Sequence, residues 1–274
     1  MDSGTIIIEK KSKLKLIDWK ELSAYRDLLY FLIVRGIRAK YAQSVLGVGW
    51  AVIQPLFTTL VFTIVFGRLA KIDSDGVPYA LFSFCGLMAW TYFSGALLEA
   101  SGSLVANASM LSKVYFPRII LPLAGLTSKL LDFGITIIVM TGLLLYFNVS
   151  PGITLIYFPL MVLLLVLCTA GPAILLAAWS VQYRDVKHAM TFMVQILMYA
   201  APVVYPLSSV PKEYRLVYAM NPLVGVIEGF RSCILNVGEM PWQEIIIGSC
   251  VSFFFLLFAL YVFSILEKSF ADVA

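Results

Sequence analysis

Charge is what this sequence has least of. Asp, Glu, Lys and Arg make up 13% of its 274 residues, about half the share of an ordinary soluble domain. Only one histidine, His188, is present, and no Gly-Lys dipeptide occurs. A phosphate-binding loop of the Gly-x-x-x-x-Gly-Lys-Ser/Thr type is therefore excluded. Cys85, Cys168, Cys233 and Cys250 stand singly, so no metal site and no dithiol chemistry is expected from their spacing. Carboxylates in the apolar stretches are scarce too. Glu99 and Asp132 stand near predicted helix ends, which gives little support to ion-driven transport. An energy source outside this chain is the better expectation.

What is abundant is apolar surface. Hydrophobic residues are 61% of the chain and mean hydropathy is +0.91. Residues 41–67, 76–98, 133–183, 188–211 and 245–266 carry no Asp, Glu, Lys or Arg, 147 positions in all. A bilayer crossing takes roughly 20 apolar residues. The composition predicts an all-α, polytopic integral membrane protein and excludes a soluble enzyme, a disordered chain and a lone anchor. The net charge of +4 is read as orientation charge on loops, not as a nucleic-acid footprint.

Along the chain, residues 22–41 predict an amphipathic helix, with Leu22, Tyr25, Leu29, Leu32 and Ile33 near one face and Arg35, Arg38 and Lys40 at its end. Such a helix lies in the membrane interface or packs, solvated, on the protein. Six spans are predicted at 50–66, 79–98, 120–147, 153–181, 189–204 and 245–266. Gln54-Pro55 is expected to interrupt the first. Asn148-Val149-Ser150-Pro151-Gly152 is a dense turn signal that divides the longest uncharged run. The third span must contain Lys129 and Asp132, three apart on one helix face, where they either pair inside the bundle or snorkel to the interface. Residues 205–243 hold four prolines and three glycines and predict two half-helices dipping into the outer leaflet. Broken backbone survives there only if protein or water covers it. Glu228 and Arg231, again three apart, are expected to pair.

Six spans put both termini on one side. Residues 9–27 are polar and charged, so no secretory leader is expected and the N-terminus is placed in the cytoplasm. This leaves 15 of the 20 Lys/Arg inside, as the positive-inside rule requires. The division is then 1–49, a cytoplasmic segment with the interface helix; 50–266, the six-span transmembrane domain; and 267–274, a cytoplasmic tail. Inside the second span, Trp90, Tyr92 and Phe93 stand beside Thr91 and Ser94. Uncharged aromatic faces with hydroxyls suit a sugar chain, and the same letters suit a lipid-facing belt.

Several strings combine: Leu46-Gly47-Val48-Gly49-Trp50-Ala51 ahead of Gln54-Pro55-Leu56, Ser112-Lys113-Val114-Tyr115-Phe116-Pro117-Arg118 in the first inner loop, Tyr183-Arg184-Asp185-Val186 in the second, Pro202-Val203-Val204-Tyr205-Pro206 after span five, then Asn221-Pro222-Leu223 and Glu228-Gly229-Phe230-Arg231. Over residues 22–266 this resembles the membrane subunit of ATP-binding-cassette polysaccharide exporters, the O-antigen, capsule and teichoic-acid permeases. The resemblance implies a homodimer with two nucleotide-binding subunits that hold ATP and Mg, no cofactor in this chain, and a multi-pass protein of the bacterial inner membrane. It implies a polysaccharide cargo on an undecaprenyl-type lipid pyrophosphate. The other cargoes to weigh are a drug or small lipid, and the other class is a self-sufficient channel. It assigns ATPase coupling to Ser112, Lys113, Val114, Tyr115, Phe116, Pro117, Arg118, Arg184 and Asp185. The lipid pyrophosphate would meet Arg35, Arg38 and Lys40, although general attraction to anionic lipid explains those cations equally well. Trp90, Tyr92 and Phe93 become channel aromatics, and Tyr205, Pro206, Asn221, Pro222, Glu228 and Arg231 an outer gate.

Overall fold

A computed structural model describes residues 19–42, 44–183 and 185–270, and every regular element among them is a helix. The uncharged runs become helices because a backbone in hydrocarbon must satisfy its own hydrogen bonds. Five are long and apolar enough to cross a membrane: Gly47–Leu69, Tyr79–Ala106, Ile120–Phe147, Ile153–Gln182 and Trp242–Leu266, of 23 to 30 residues. At a rise of about 1.5 Å per residue each exceeds the ~30 Å hydrocarbon layer.

In chain order, α1 (Trp19–Ala24) and α2 (Arg26–Tyr41) form the predicted amphipathic segment, broken at Tyr25. A short turn leads into α3 (Trp50–Phe62), which widens into a π-helix over Thr63–Leu69. Pro55 does not break α3, contrary to the sequence expectation. The carbonyls of Gln54 and Pro55 accept from the Thr58 and Thr59 hydroxyls at 2.9 and 2.8 Å, and the helix continues. Next come α4 (Tyr79–Ala106), the four-residue α5 (Ala108–Leu111) and α6 (Ile120–Phe147). Asn148 ends α6 in the left-handed region and its N–H reaches back to the Leu144 and Leu145 carbonyls, a C-terminal stop. Gly152 follows, where a Cβ would lie 2.2 Å from Asn236 Oδ1. The turn signal thus divides the run where the sequence places it, and α7 (Phe158–Gln182) begins beyond it.

The expected fifth span differs. α8 (Val186–Tyr199) has 14 residues and stops before a turned segment at 200–204. The two predicted half-helices are α9 (Lys212–Ala219) and α10 (Pro222–Leu235). Asn221 caps α10 by accepting from the Leu223 N–H, and Pro222 takes the first helical position. Finally α11 (Trp242–Leu266) runs unbroken.

The helices arrange themselves around α4. It packs on α3, α6, α7, α8 and α10, and residues on all its sides, from Leu81 and Phe82 to Leu97 and Ala100, are buried. A helix enclosed all round shows no polar face, which is why α4 has no amphipathic period. By contrast α3 and α11 turn Ile53, Phe57, Leu60, Phe254 and Phe258 outward, the face an apolar solvent accepts.

Candidate functional site at the two ends of the bundle

At one end of the bundle, α4 stops at Asn107, whose Nδ2 donates to the Ser103 carbonyl at 2.8 Å. The loop from Ser112 to Arg118 follows α5. Val114 and Tyr115 are 55% and 75% exposed, while Phe116 is buried at 3%. The three-residue apolar knob read from sequence is therefore two outward residues on one inward anchor. Lys113 and Ser112 are exposed beside them. The Tyr115 hydroxyl donates to Glu21 Oε1 at 3.0 Å, and its carbonyl accepts from the Tyr25 hydroxyl at 3.3 Å. Past Pro117, the Arg118 N–H donates to Glu267 Oε1 at 3.2 Å, its guanidinium to the Glu267 carbonyl, and its charge lies 5.7 Å from the Phe270 ring centre. The loop is braced from both termini of the chain. α4 runs beyond the predicted end of the second span at 98 to Ala106: Ser101 is buried and its carbonyl accepts from the Ser180 hydroxyl at 2.7 Å. Asp185 is exposed at the start of α8, with its carbonyl accepting from the Ala189 N–H. Arg184 lies outside the described residues.

Deeper at this end is an ionic network. Lys129 Nζ is 2.7 Å from Glu99 Oε2 and 3.8 Å from Asp132. Glu99 also accepts from the Ser128 hydroxyl at 2.7 Å, and Asp132 accepts from Lys40 and from the Tyr41 hydroxyl. The predicted Lys129–Asp132 pair is thus the longer of two contacts. Helical spacing sees neighbours on α6, but Glu99 approaches from α4. Burial and the Asp132 carboxylate hold the Tyr41 phenol above its ordinary range. The three cations expected at the membrane face do not form one cluster. Lys40 is committed to Asp132, Arg35 donates to Asn107 Oδ1 at 3.4 Å, and Arg38 is exposed.

Two cavities flank this network. One of about 450 Å³ lies between α2, α4 and α6 and is lined by Arg35, Glu99, Ser103, Asn107 and Lys187. The other, about 390 Å³, is lined by Trp50, Gln54, Thr58, Thr91, Tyr92 and Ser94, with Lys40, Lys129 and Asp132. Of the expected channel aromatics, Tyr92 edges this second cavity. It packs edge-on to Phe133 at 5.7 Å and donates to the Leu126 carbonyl at 3.3 Å. Trp90 and Phe93 are 5% and 6% exposed and stack on each other. They are core residues of the chain, because α4 is surrounded by other helices.

At the opposite end, Arg231 is the largest fully buried side chain, 1% exposed. Its Nη1 lies 2.7 Å from Glu228 Oε1, Nη2 donates to the Val203 carbonyl at 2.8 Å, and Nη1 to the Tyr205 carbonyl at 3.4 Å. Glu228 in turn accepts from the Leu207 N–H at 3.0 Å. The predicted pair therefore forms and also grips the 203–207 turn. Gly86 leaves the room: a Cβ there would sit 2.9 Å from both Arg231 Nη2 and the Val203 carbonyl oxygen. Tyr79 donates to the Val204 carbonyl at 2.7 Å, Tyr205 and Tyr218 join hydroxyls at 2.8 Å, and Asn221 Nδ2 donates to the Ala200 carbonyl at 3.0 Å. Pro206 is buried and Pro222 starts α10 beside them. Of the six residues expected there, Tyr205, Glu228 and Arg231 are joined by hydrogen bonds around the turn, Asn221 reaches its start at Ala200, and Pro206 and Pro222 stand next to them in the chain. Phe82, Gly86, Tyr79 and Tyr218 belong with them and carry no sequence signal, since three lie on α4 or its first turn, far away in the chain.

Among the described residues no group of His, Cys, Asp and Glu could hold a metal ion. Residues 27–235 match the family described as "ABC-2 type transporter". The chain is 28% identical over 256 residues to the "O-antigen export system permease protein RfbA" of Myxococcus xanthus, covering 92% of this chain and 97% of that one. It is 25% identical over 248 residues to the protein of that name from Klebsiella pneumoniae, covering 90% and 95%. With the "Polysialic acid transport protein KpsM" of Escherichia coli it shares 24% over 212 residues, 74% and 80% of the two chains. The multi-pass helical bundle, the braced outward loop and the match over most of the chain have one reading: this chain belongs to the ABC-2 type transporters as a membrane permease, a subunit without a cofactor of its own whose ATPase activity lies in a separate partner subunit.

Proposed function

We propose that this permease moves a lipid-linked polysaccharide of O-antigen type, carried on an undecaprenyl-type pyrophosphate, from the cytoplasm across the bacterial inner membrane. In this reading two copies assemble with two ATPase subunits. The observation that carries it is the loop at 112–118. Val114 and Tyr115 stand outward on a buried Phe116, and Glu21 and Glu267 hold the loop from either side. An exposed apolar knob on a rigid base is what a docking contact that transmits force requires. The names of the relatives, O-antigen and polysialic acid carriers, favour a polysaccharide cargo.

The same contacts support the six-span topology. Glu21 and Glu267 reach one loop, so the chain crosses an even number of times. Five long helices are odd in number, and α8 with the turn at 200–204 supplies the sixth crossing. The positive-inside rule then puts this end, both termini and residues 1–49 and 267–274 in the cytoplasm. The Glu228–Arg231 turn becomes the outer gate, and the cavity beside Trp50 and Tyr92 part of the sugar passage. The test is reconstitution with its ATPase partner subunit in vesicles loaded with lipid-linked glycan. Nucleotide-dependent appearance of glycan on the far side is expected. A chain that never associates with an ATPase subunit, or transports without one, sinks the reading.

A further inference from the structure

A third cavity, of about 710 Å³, opens between the end of α6 and the start of α7, at the end of the bundle that holds Arg231. Met88 of α4 and Ile234 of α10, both buried, form its floor. Along α6 it is lined by Ile137, Thr141, Leu144 and Asn148, one helical stripe. At a rise of ~1.5 Å per residue the stripe covers about 16 Å, roughly half of the ~30 Å hydrocarbon layer, which is the depth of one leaflet. Among the described residues no charged side chain lines this cavity. Its polar groups are unevenly placed. The Thr141 hydroxyl donates to the Ile137 carbonyl at 3.0 Å. Asn148 and Ser150, at the outward turn, are exposed, and their side chains make no hydrogen bond among the described residues. The unused polar groups therefore stand at one end of an otherwise apolar slot.

We propose that this cavity is a binding site for one acyl chain of a bilayer lipid, with the tail along the α6 stripe and the ester oxygens at Asn148 and Ser150. The occupant follows from what the mouth touches. Leu145 lines the cavity and is exposed, and Ile138, Tyr146 and Ile156 are exposed on the surface around it. At membrane depth the mouth opens onto hydrocarbon. Water does not fill an apolar cavity, because it finds no partners there, and an empty one forfeits the dispersion contacts of its lining. A cavity of about 150 Å³ takes a benzene ring, so 710 Å³ is ample for one chain. The order of polarity also fits. The Asn148 amide and the Ser150 hydroxyl can donate, and ester carbonyls can only accept. Donors at the membrane face and apolar lining beneath them match a lipid read from its ester inward. A side chain from a second copy would not need that order. Ile234 stands one turn from Arg231, and Met88 two residues from Gly86, so the bound chain lies against both helices that meet at the Arg231 contact.

The experiment places the purified full chain in phosphatidylcholine nanodiscs that include a phosphatidylcholine with a diazirine at the end of one acyl chain. After illumination, mass spectrometry reads which residues carry the lipid. Label is expected on the floor residues Met88 and Ile234, and also on Phe254, which faces outward on α11 and reports ordinary lipid contact. Leu144→Trp fills the cavity from α6 and Ile234→Phe fills it from α10. Each should lower the label at Met88 about tenfold, since a filled cavity leaves the chain no dispersion contacts to gain, with the label at Phe254 unchanged. Either variant suffices if the other fails to fold. Label at Leu145 and Phe254 without Met88 or Ile234 overturns the proposal, because the lipid then only passes the mouth. Label at Met88 that neither filling variant lowers overturns it too. So does a disulfide between two copies through Leu145→Cys with the floor unlabelled, which puts a second copy over the mouth.

Discussion

The guanidinium carbon of Arg231 lies 3.6 Å from the centre of the Phe82 ring, while its nitrogens hold two backbone carbonyls and the Glu228 carboxylate. One α10 side chain thereby ties α4 to the turn at 203–207. The Arg231 Nε makes no hydrogen bond, so the flat face against Phe82 and the two terminal nitrogens carry the contact. An aromatic face attracts a guanidinium most when water is excluded.

Arg231→Ala should destabilise the protein by about 3–5 kcal/mol, because it leaves the Glu228 carboxylate buried without its partner. The double change Arg231→Met with Glu228→Gln should recover part of that loss. Thermal unfolding in detergent measures both. Equal losses in the single and double variants would mean that the turn, not the charge, dominates.

Gly86→Ala places a methyl within 2.9 Å of Arg231 and of the Val203 carbonyl oxygen. A loss of about 1–3 kcal/mol is expected, in the range of overpacked cores. Gly134→Ala on α6 meets nothing within 4 Å and serves as the control for a helical glycine, where Ala should be neutral or stabilising. Gly86→Ala should lower the melting temperature and Gly134→Ala should not.

Val114→Asp should leave stability within about 0.5 kcal/mol, as for an exposed site, yet prevent co-purification with the ATPase subunit. Phe116→Ala should do the reverse first, costing about 3–5 kcal/mol of stability through the cavity it leaves. If Val114→Asp still copurifies at parental yield, this loop is not the docking surface.

Asp132→Asn removes the anion that holds both Lys40 and Tyr41. Faster hydrogen exchange is expected at the C-terminal end of α2, from residue 38 to 42, with α6 itself unchanged. Exchange read by mass spectrometry on overlapping peptides checks this. Protection unchanged in those peptides would show that packing of Leu32 and its neighbours holds α2 without the carboxylate.

Much of this architecture is legible in the letters because hydrocarbon imposes one rule on every segment. The uncharged runs mark the long helices, Asn148 to Gly152 marks their division, and the Pro and Gly scatter after residue 205 marks the half-helices. Glu228 and Arg231 are found by spacing since both lie on one helix. What spacing does not see is the partner from another helix. Lys129 prefers Glu99 on α4 to its own neighbour Asp132, and Trp90 and Phe93 go inward because of what surrounds α4. Pro55 misleads because its cost is local: it withholds one N–H, the helical partner of the Ala51 carbonyl, and α3 continues through it.

The most enclosed helix is also the least apolar of the five long ones. The apolar 18-residue stretch by which α4 qualifies as a crossing has a mean hydropathy of 1.5 and is 78% buried, whereas those of the others reach 1.8 to 2.6 with less burial. During synthesis α4 leaves the ribosome before α6, α7 and α10, the helices that will wrap it. The Tyr79 and Tyr92 hydroxyls and the Glu99 carboxylate of α4, whose partners are the Val204 and Leu126 carbonyls and Lys129, have to wait in lipid, or beside the insertion machinery, until later segments arrive. The centre of the finished bundle is therefore the part whose membrane insertion depends most on chain not yet made, and a ribosome stalled before residue 182 would strand it.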